Sequence, residues 1–388
     1  MKICFLFNHI SNYQILHAVP YAFELSRCYS DQFECIIACS SPEALSYVKN
    51  LSTFYPGQKC TYKLLHVPFL YRLLDPRLIK RKFKLKDNVL KANLEFFKKM
   101  DAIVSPESKC VKLKTKFGMR NAVIIHTRHG AGDRKGSFNK RLSLCDLVLI
   151  PGKKIEAALK REGLLEKGKY VIVGYPKFDV VQNLNKGRKK IFNNENPVVL
   201  YNPHFDQNVG SWNRMGLKVM EFFQKHQEYN LILAPHVVLF KRKRRHDAKD
   251  PQRYFGLPNV YIDLGSDASI SMTYTLSADI YLGDVSSQVY EFLVKPRPCI
   301  FLNAHNIKWK DNPYYFHWNL GQVINNVDEL GRALEQAQKL QLAYEKRQIE
   351  VFNYTFFDED GSTAAERGAK AIAEFLQSHT CSRSSSSY

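Results

Sequence analysis

The residues best suited to chemistry in this sequence stand in two short runs. The first, His126-Thr-Arg-His-Gly-Ala-Gly-Asp-Arg-Lys-Gly136, follows the apolar stretch AVII. Its glycines let backbone amides approach a ligand closely, and Arg128, Arg134 and Lys135 add positive charge. A histidine in this setting can act as a base near neutral pH. The spacing is not the G-x-G-x-x-G fingerprint, and a plain glycine-rich turn with surface charges would read the same. The second run, Gly283-Asp-Val-Ser-Ser-Gln-Val-Tyr-Glu-Phe-Leu293, passes from an apolar segment through two hydroxyls into a helix-like pattern. Hydroxyls and unpaired amides at a helix start can cradle a phosphate, although Ser and Asp are also ordinary helix caps.

Three further segments carry weaker signals. Tyr201-Asn-Pro-His-Phe-Asp206 ends an apolar run and precedes Ser211-Trp212; taken alone, a proline turn with an incidental His204 explains it better. Ala234-Pro-His236 sets another histidine at a strand end, where a lone histidine is more often structural. Asp358-Glu-Asp-Gly-Ser-Thr contains the Asp-x-Asp of some glycosyltransferase metal sites. It precedes a C-terminal helix and lies outside the strand-end series, so Gly361-Ser362 reads as turn and cap and no metal is expected.

The elements that must position these residues form two series. Apolar runs at 2–8, 33–40, 102–105, 122–127, 147–152 and 170–176 alternate with helical or mixed stretches. After a polar, basic, Asn-rich break at 183–197, a second series begins, with runs at 197–203, 231–236, 260–265, 280–284 and 299–303. Short buried strands alternating with helices indicate doubly wound parallel sheets. The fold class expected is α/β: two Rossmann-like lobes whose parallel sheets face a central cleft. Ligands bind such sheets at the carboxyl ends of the strands, and His129, His204, His236, Asp284 and Ser286 all fall just after an apolar run. The predicted layout is an N-terminal acceptor-side domain over 1–182, a linker over 183–197 and a nucleotide-donor domain over 198–355. A C-terminal helix over 356–378, free to pack back on the first lobe, and a disordered tail over 379–388 complete it.

Bulk properties narrow the class. The 388 residues suit two domains, and 45% hydrophobic with 24% charged residues is ordinary globular composition. The net charge of +20 implies a polyanionic neighbour, whether nucleic acid, anionic lipid or a phosphate-rich substrate. Basic runs at 80–86 and 241–245 would usually be solvated faces, but the first alternates with Phe and Leu beside LLHVPFLYRLL, which suits an interfacial membrane contact. No familiar nucleic-acid-binding signature is present. The nine cysteines include no C-x-x-C pair; Cys4 and Cys299 lie in apolar runs and read as buried thiols of a reducing compartment. The opening MKICFLFNHI lacks a cleavage site and reads as a first core strand, and no run of about 18 apolar residues predicts a membrane span.

In their order and spacing, from about residue 122 to 370, these segments resemble the CDP-glycerol glycerophosphotransferase family of teichoic acid and capsule synthesis. Arg128-His129-Gly130 with Lys135-Gly136 corresponds to that family's aromatic-His-Gly segment, and Tyr201-Asn202-Pro203-His204 to its Tyr-Ala-Pro-Thr-like turn. Pro235-His236 matches its Pro-His pair. Asp284-Val285-Ser286-Ser287 with Lys295-Pro296 matches its Asp-Tyr-Ser-Ser and Lys-Pro, and Asp360-Gly361-Ser362 with Arg367 its tail. Arg128 replaces the usual aromatic, Val285 replaces the tyrosine, and the long membrane-targeting module of teichoic acid polymerases is not evident.

The resemblance implies a GT-B fold and cleavage of a CDP-alcohol pyrophosphate, with no cofactor and no dedicated metal. His129 would be the base and His236 would lie near the donor phosphates. Arg128, Gly130, Arg134, Asn202, His204, Asp284, Ser286, Ser287 and Gln288 would make up the donor-binding set, with Arg128 or Arg134 substituting for a metal ion. An acceptor hydroxyl would attack phosphorus and CMP would leave. The partners expected are CDP-glycerol or a related donor, a lipid-linked or polymeric glycan acceptor, and an anionic membrane surface, with no nucleic acid. The location expected is cytoplasmic, peripheral on the inner face of the membrane. A GT-B glycosyltransferase using a nucleotide sugar, and a non-catalytic polyanion-binding protein, are the alternatives.

Overall fold

The computed structural model describes residues 1–8, 12–68, 85–135, 138–240, 250–357 and 361–385. Gly136, Asp358–Asp360, the basic run at 241–245 and most of that at 80–86 lie outside these residues. The chain divides into two compact units, one of 1–129, 138–184 and 354–388, the other of 130–137 and 185–353. Each carries a parallel sheet flanked by helices.

In the first unit the strands are β1 (Lys2–Phe7), β2 (Glu34–Cys39), β3 (Thr61–Leu64), β4 (Ala102–Ser105), β5 (Val123–Thr127), β6 (Leu147–Ile150) and β7 (Tyr170–Ile172). Their spatial order is β3-β2-β1-β4-β5-β6-β7, and every pair is parallel. Strands in such a sheet are covered on both faces, which is why β1, β4, β5 and β6 read as unbroken apolar runs rather than alternating ones. The order reverses between β1 and β4, the switch point beside which doubly wound folds bind ligands.

The second unit repeats the plan with β8 (Val198–Asn202), β9 (Asn230–Leu233), β10 (Val260–Ile262), β11 (Ile280–Gly283), β12 (Cys299–Leu302) and β13 (Gln322–Ile324). The order β10-β9-β8-β11-β12-β13 places its switch point between β8 and β11. Tyr201, Trp212, Phe223 and Tyr254 are among the largest fully buried side chains of its core. The two-series α/β architecture read from the sequence is the one observed.

Two strands escape the apolar pattern. β3 and β13 are edge strands in which TYKL and QVI carry polar residues, unlike the edge strands β7 and β10, whose YVI and VYI remain apolar. The segment 13–28, which reads as one helix, is a 3-10 stretch (Asn12–His17) followed by α1 (Val19–Cys28), with Pro20 in the first turn of α1. The last helix, α2 (Ala364–Ser385), packs on α1 and runs past residue 379, where the serine-rich composition predicts disorder. Arg367 anchors it, donating from its guanidinium to the carbonyls of Val173, Phe357 and Ser362 at 3.0, 3.0 and 2.5 Å. Cys4 and Cys299 are buried free thiols, pushed well up in pKa by burial and hence unreactive. No helix among the described residues is long and apolar enough to cross a membrane.

Candidate functional site

In the first unit, three strand ends converge on His129. β5 delivers His126 and Thr127 into the sheet, where both are buried, and the chain leaves the sheet at Arg128 and His129. The carbonyl oxygen of Pro106, just beyond β4, lies 2.9 Å from Nδ1 of His129. A carbonyl can only accept, so Nδ1 carries the proton and Nε2 presents a lone pair. Gln14, in the 3-10 stretch that follows β1, places its side-chain nitrogen 3.1 Å from that Nε2. The tautomer also settles Gln14: only its NH2 end can donate to an unprotonated nitrogen. Burial, then the neighbouring Arg128 guanidinium, pulls the His129 pKa down to about 4, so the ring is neutral at physiological pH. Arg128 is itself buried, its guanidinium over the Phe138 ring at 5.3 Å, and burial lowers it only to about 10, so it stays charged. His17, whose ring centroid is 6.3 Å from that of His129, is likewise held neutral by burial and by Lys177.

In the second unit, the loops after β8 and β11 are built around Asp284. Its buried carboxylate accepts from the amides of His204, Ser211 and Val285 and from the Ser211 hydroxyl, at 2.6–3.1 Å. Burial pushes this carboxyl above the usual range, and the hydrogen bonds partly offset that. Its main-chain oxygen accepts from Nε2 of His317 at 2.9 Å and from Nε1 of Trp318 at 2.6 Å. Asp284 therefore organises the loops. Its carboxylate is occupied by four donors within the protein, so its part in the site is to hold the loops that carry the other candidate residues. Asn202 is similarly committed, donating to the Ala234 carbonyl at 2.6 Å, and Arg134 pairs with Asp206 at 2.8 Å. Ser286 is buried and caps the Gln288 amide at 3.4 Å.

What remains available is narrower. Ser287 and Gln288, at the start of the short helix Gln288–Phe292, are half-buried, and neither side chain has a hydrogen-bond partner among the described residues. The glycine run packs here: Gly130 has φ +75°, and a Cβ on Gly132 would stand 3.0 Å from Cβ of Ser287. The run is pinned by Asp133, whose Oδ2 accepts from the Tyr290 hydroxyl and lies 3.1 Å from Nδ1 of His317. His236, half-buried, accepts the Val238 amide at its Nδ1 (3.3 Å), so in the neutral ring Nε2 bears the proton. His204 does the same with the Asp206 amide at 3.1 Å, and its ring centroid lies 5.3 Å from that of His236.

Thus the second unit brings His204, His236, Asp284, Ser286, Ser287, Gln288, Gly130 and Arg134 to the carboxyl ends of its strands, while Arg128 and His129 belong to the first. Gln14, Asp133 and His317 were not identified from the sequence. Asp133 sat inside a run already singled out, whereas Gln14 and the PYYFHWN segment of His317 carry no motif.

Two Rossmann-like units with histidines and hydroxyls at their strand ends make this a GT-B-class fold, and solved structures agree. The wall teichoic acid polymerase TagF, in a structure soaked with CDPG, is 15% identical with a TM-score of 0.62, covering 98% of this chain and 89% of that one. UDP-GlcNAc 2-epimerase from Neisseria meningitidis bound to UDP-GlcNAc is 14% identical with a TM-score of 0.57, covering 97% and 100%. A putative UDP-N-acetylglucosamine 2-epimerase from Listeria monocytogenes is 12% identical with a TM-score of 0.59, covering 98% and 96%. No curated protein sequence matches. The family model for CDP-Glycerol:Poly(glycerophosphate) glycerophosphotransferase matches residues 81–374. The chain belongs to that family and is a glycerophosphotransferase-like enzyme.

Proposed function

We propose that this enzyme transfers glycerol phosphate, or a related polyol phosphate, from a CDP-alcohol to a hydroxyl of a lipid-linked or polymeric glycan, releasing CMP. The observation that carries this reading is the opposed tautomers of two histidines: Nε2 of His129 is a lone-pair acceptor, and Nε2 of His236 is a donor. The first suits a base, the second a group that binds phosphate oxygen. The acceptor O–H gives its proton to Nε2 of His129 as its oxygen bonds to the glycerol-bearing phosphorus. The bridging oxygen of the pyrophosphate leaves with CMP. Transfers of this kind depend on positioning and on stabilising charge at the phosphoryl oxygens. His236, the Ser287 hydroxyl and the Gln288 amide would supply donors, and the charge of Arg128 would take the place of a metal ion.

Family membership and the CDPG soaked into TagF support the choice of donor. In this reading the first unit holds the acceptor and the second the donor. The net charge of +20 would hold the protein at an anionic inner membrane surface, where a lipid-linked acceptor resides. The test is nucleotide release from CDP-glycerol, CDP-ribitol and common nucleotide sugars, with and without crude membrane acceptor. CMP release from a CDP-alcohol, reduced about 10²–10⁴-fold in His129→Ala, is the expected result. Release of UDP or another nucleoside diphosphate would replace this reading with a sugar transferase.

A further inference from the structure

We propose that Gln14 occupies, in the free enzyme, the position of the acceptor hydroxyl on His129, and that entry of the acceptor displaces it. The inference rests on the reading of His129 as the base and adds a gate to it. An imidazole nitrogen without a proton has one in-plane lone pair and accepts one strong hydrogen bond. Nε2 of His129 already receives the Gln14 N–H at 3.1 Å. An acceptor O–H must reach that same lone pair before it can be deprotonated, so the amide and the acceptor are mutually exclusive there. Water is excluded in the same way, and a base covered by its own protein is a poor catalyst of donor hydrolysis.

The surroundings show why Gln14 can both hold this position and give it up. Gln14 is 5% exposed, and its amide nitrogen also lies 3.1 Å from the Tyr13 hydroxyl. Its side-chain oxygen, by contrast, is buried and has no hydrogen-bond partner among the described residues. A buried amide with one satisfied end and one unsatisfied end is in an unfavourable resting state. An acceptor that donates one hydroxyl to His129 and a neighbouring hydroxyl to the displaced Gln14 oxygen would satisfy both. That pairing selects compounds with adjacent hydroxyls, meaning a polyol or a sugar, over simple alcohols and over water.

The experiment uses the full chain as wild type, Gln14→Ala and Gln14→Met; the methionine keeps the side-chain bulk but has no N–H. Acceptor-free CMP release from CDP-glycerol is measured, then the KM for a short synthetic poly(glycerol phosphate) and for a simple alcohol. Loss of one hydrogen bond to the lone pair should raise acceptor-free hydrolysis by about three- to tenfold in both variants, and loss of the Gln14 oxygen should weaken the preference, read from KM, for the oligomer over a simple alcohol. Unchanged hydrolysis and KM in both variants would overturn the proposal. A second readout is independent of any donor. In protein with ring-15N histidine, the Nε2 resonance of His129 should move in Gln14→Ala, and should move in the wild type on adding the oligomer. If neither moves, the gate is wrong even where CMP is released. If the wild type releases no nucleotide, the transferase reading falls and the resonance alone decides the contact.

Discussion

Asp133 and His317 lie 184 residues apart in sequence, yet Nδ1 of the histidine stands 3.1 Å from a carboxylate oxygen of the aspartate. Nε2 of the same ring faces the Asp284 carbonyl, which can only accept. The ring thus donates at Nε2 to the main chain while its Nδ1 meets the Asp133 carboxylate. Through it, the glycine run that follows His129 is tied to the residue that organises the loops after β8 and β11.

Removing one side of this buried contact leaves the other uncompensated. Asp133→Ala should lower the free energy of unfolding by about 3 kcal/mol. His317→Ala should cost a similar amount, and the double variant much less than the sum, because both lose the same bond. Urea unfolding of the three variants measures this; additive losses would show that the two side chains act separately.

The pH dependence of transfer should reflect the depressed pKa of His129. In the proposed mechanism the neutral ring is the active form, and burial with Arg128 pulls its pKa to about 4. The acid limb of the rate profile should therefore fall near pH 4, well below the ordinary histidine value of about 6.5. Arg128→Met removes a positive neighbour, which makes protonation easier and should move that limb upward. A limb that stayed put would mean that Arg128 has no electrostatic effect on the base.

Stability should follow the same groups. His17, His126 and His129 are all held below their ordinary pKa in the folded state, chiefly by burial. The unfolded chain then takes up protons that the native state refuses, so the stability present above about pH 6.5 is lost progressively as pH falls toward 4. Unfolding temperature measured from pH 7 to pH 4 should decline across that window. His126→Gln should flatten the decline, since it removes one of the three refused protons.

Asp284 and Ser287 should separate structure from ligand contact. Asp284→Ala strands three buried amides and a hydroxyl and should destabilise the protein by about 2–4 kcal/mol. Ser287→Ala touches no internal hydrogen bond, so stability should stay within about 0.5 kcal/mol. Nucleotide release, with Ser287 as a phosphate donor, should fall by about tenfold or more. Calorimetry with parallel rate measurement checks both halves.

The sheets were legible in the sequence because burial on both faces turns central strands such as β1, β5 and β11 into plain apolar runs. The edge strands β3 and β13 lacked that signature because TYKL and QVI carry polar residues, whereas the edge strands β7 and β10 kept it. The candidate site divided in the same way. His129 and His236 could be found from their places at strand ends. Which nitrogen each presents could not, because that depends on the Pro106 carbonyl and the Val238 amide, which are main-chain atoms with no trace in residue identity. Asp284 was legible as a residue that matters, but its role as a hub of buried amides appears only once the loops that it gathers are seen together.

The chain passes between its two units at 129/130, 137/138, 184/185 and 353/354, and the first of these passages falls directly after His129. The obvious seam at 183–197 is therefore the wrong place to recombine this enzyme with a relative. A chimera joined there would give the second unit a foreign stretch in place of Gly130–Ser137, and with it a foreign partner for His317 and Tyr290. If the second unit holds the donor, as proposed, exchange of donor preference by gene fusion should succeed only when the glycine run travels with the C-terminal half. The second unit is thus discontinuous in the gene, although it is compact in the folded molecule.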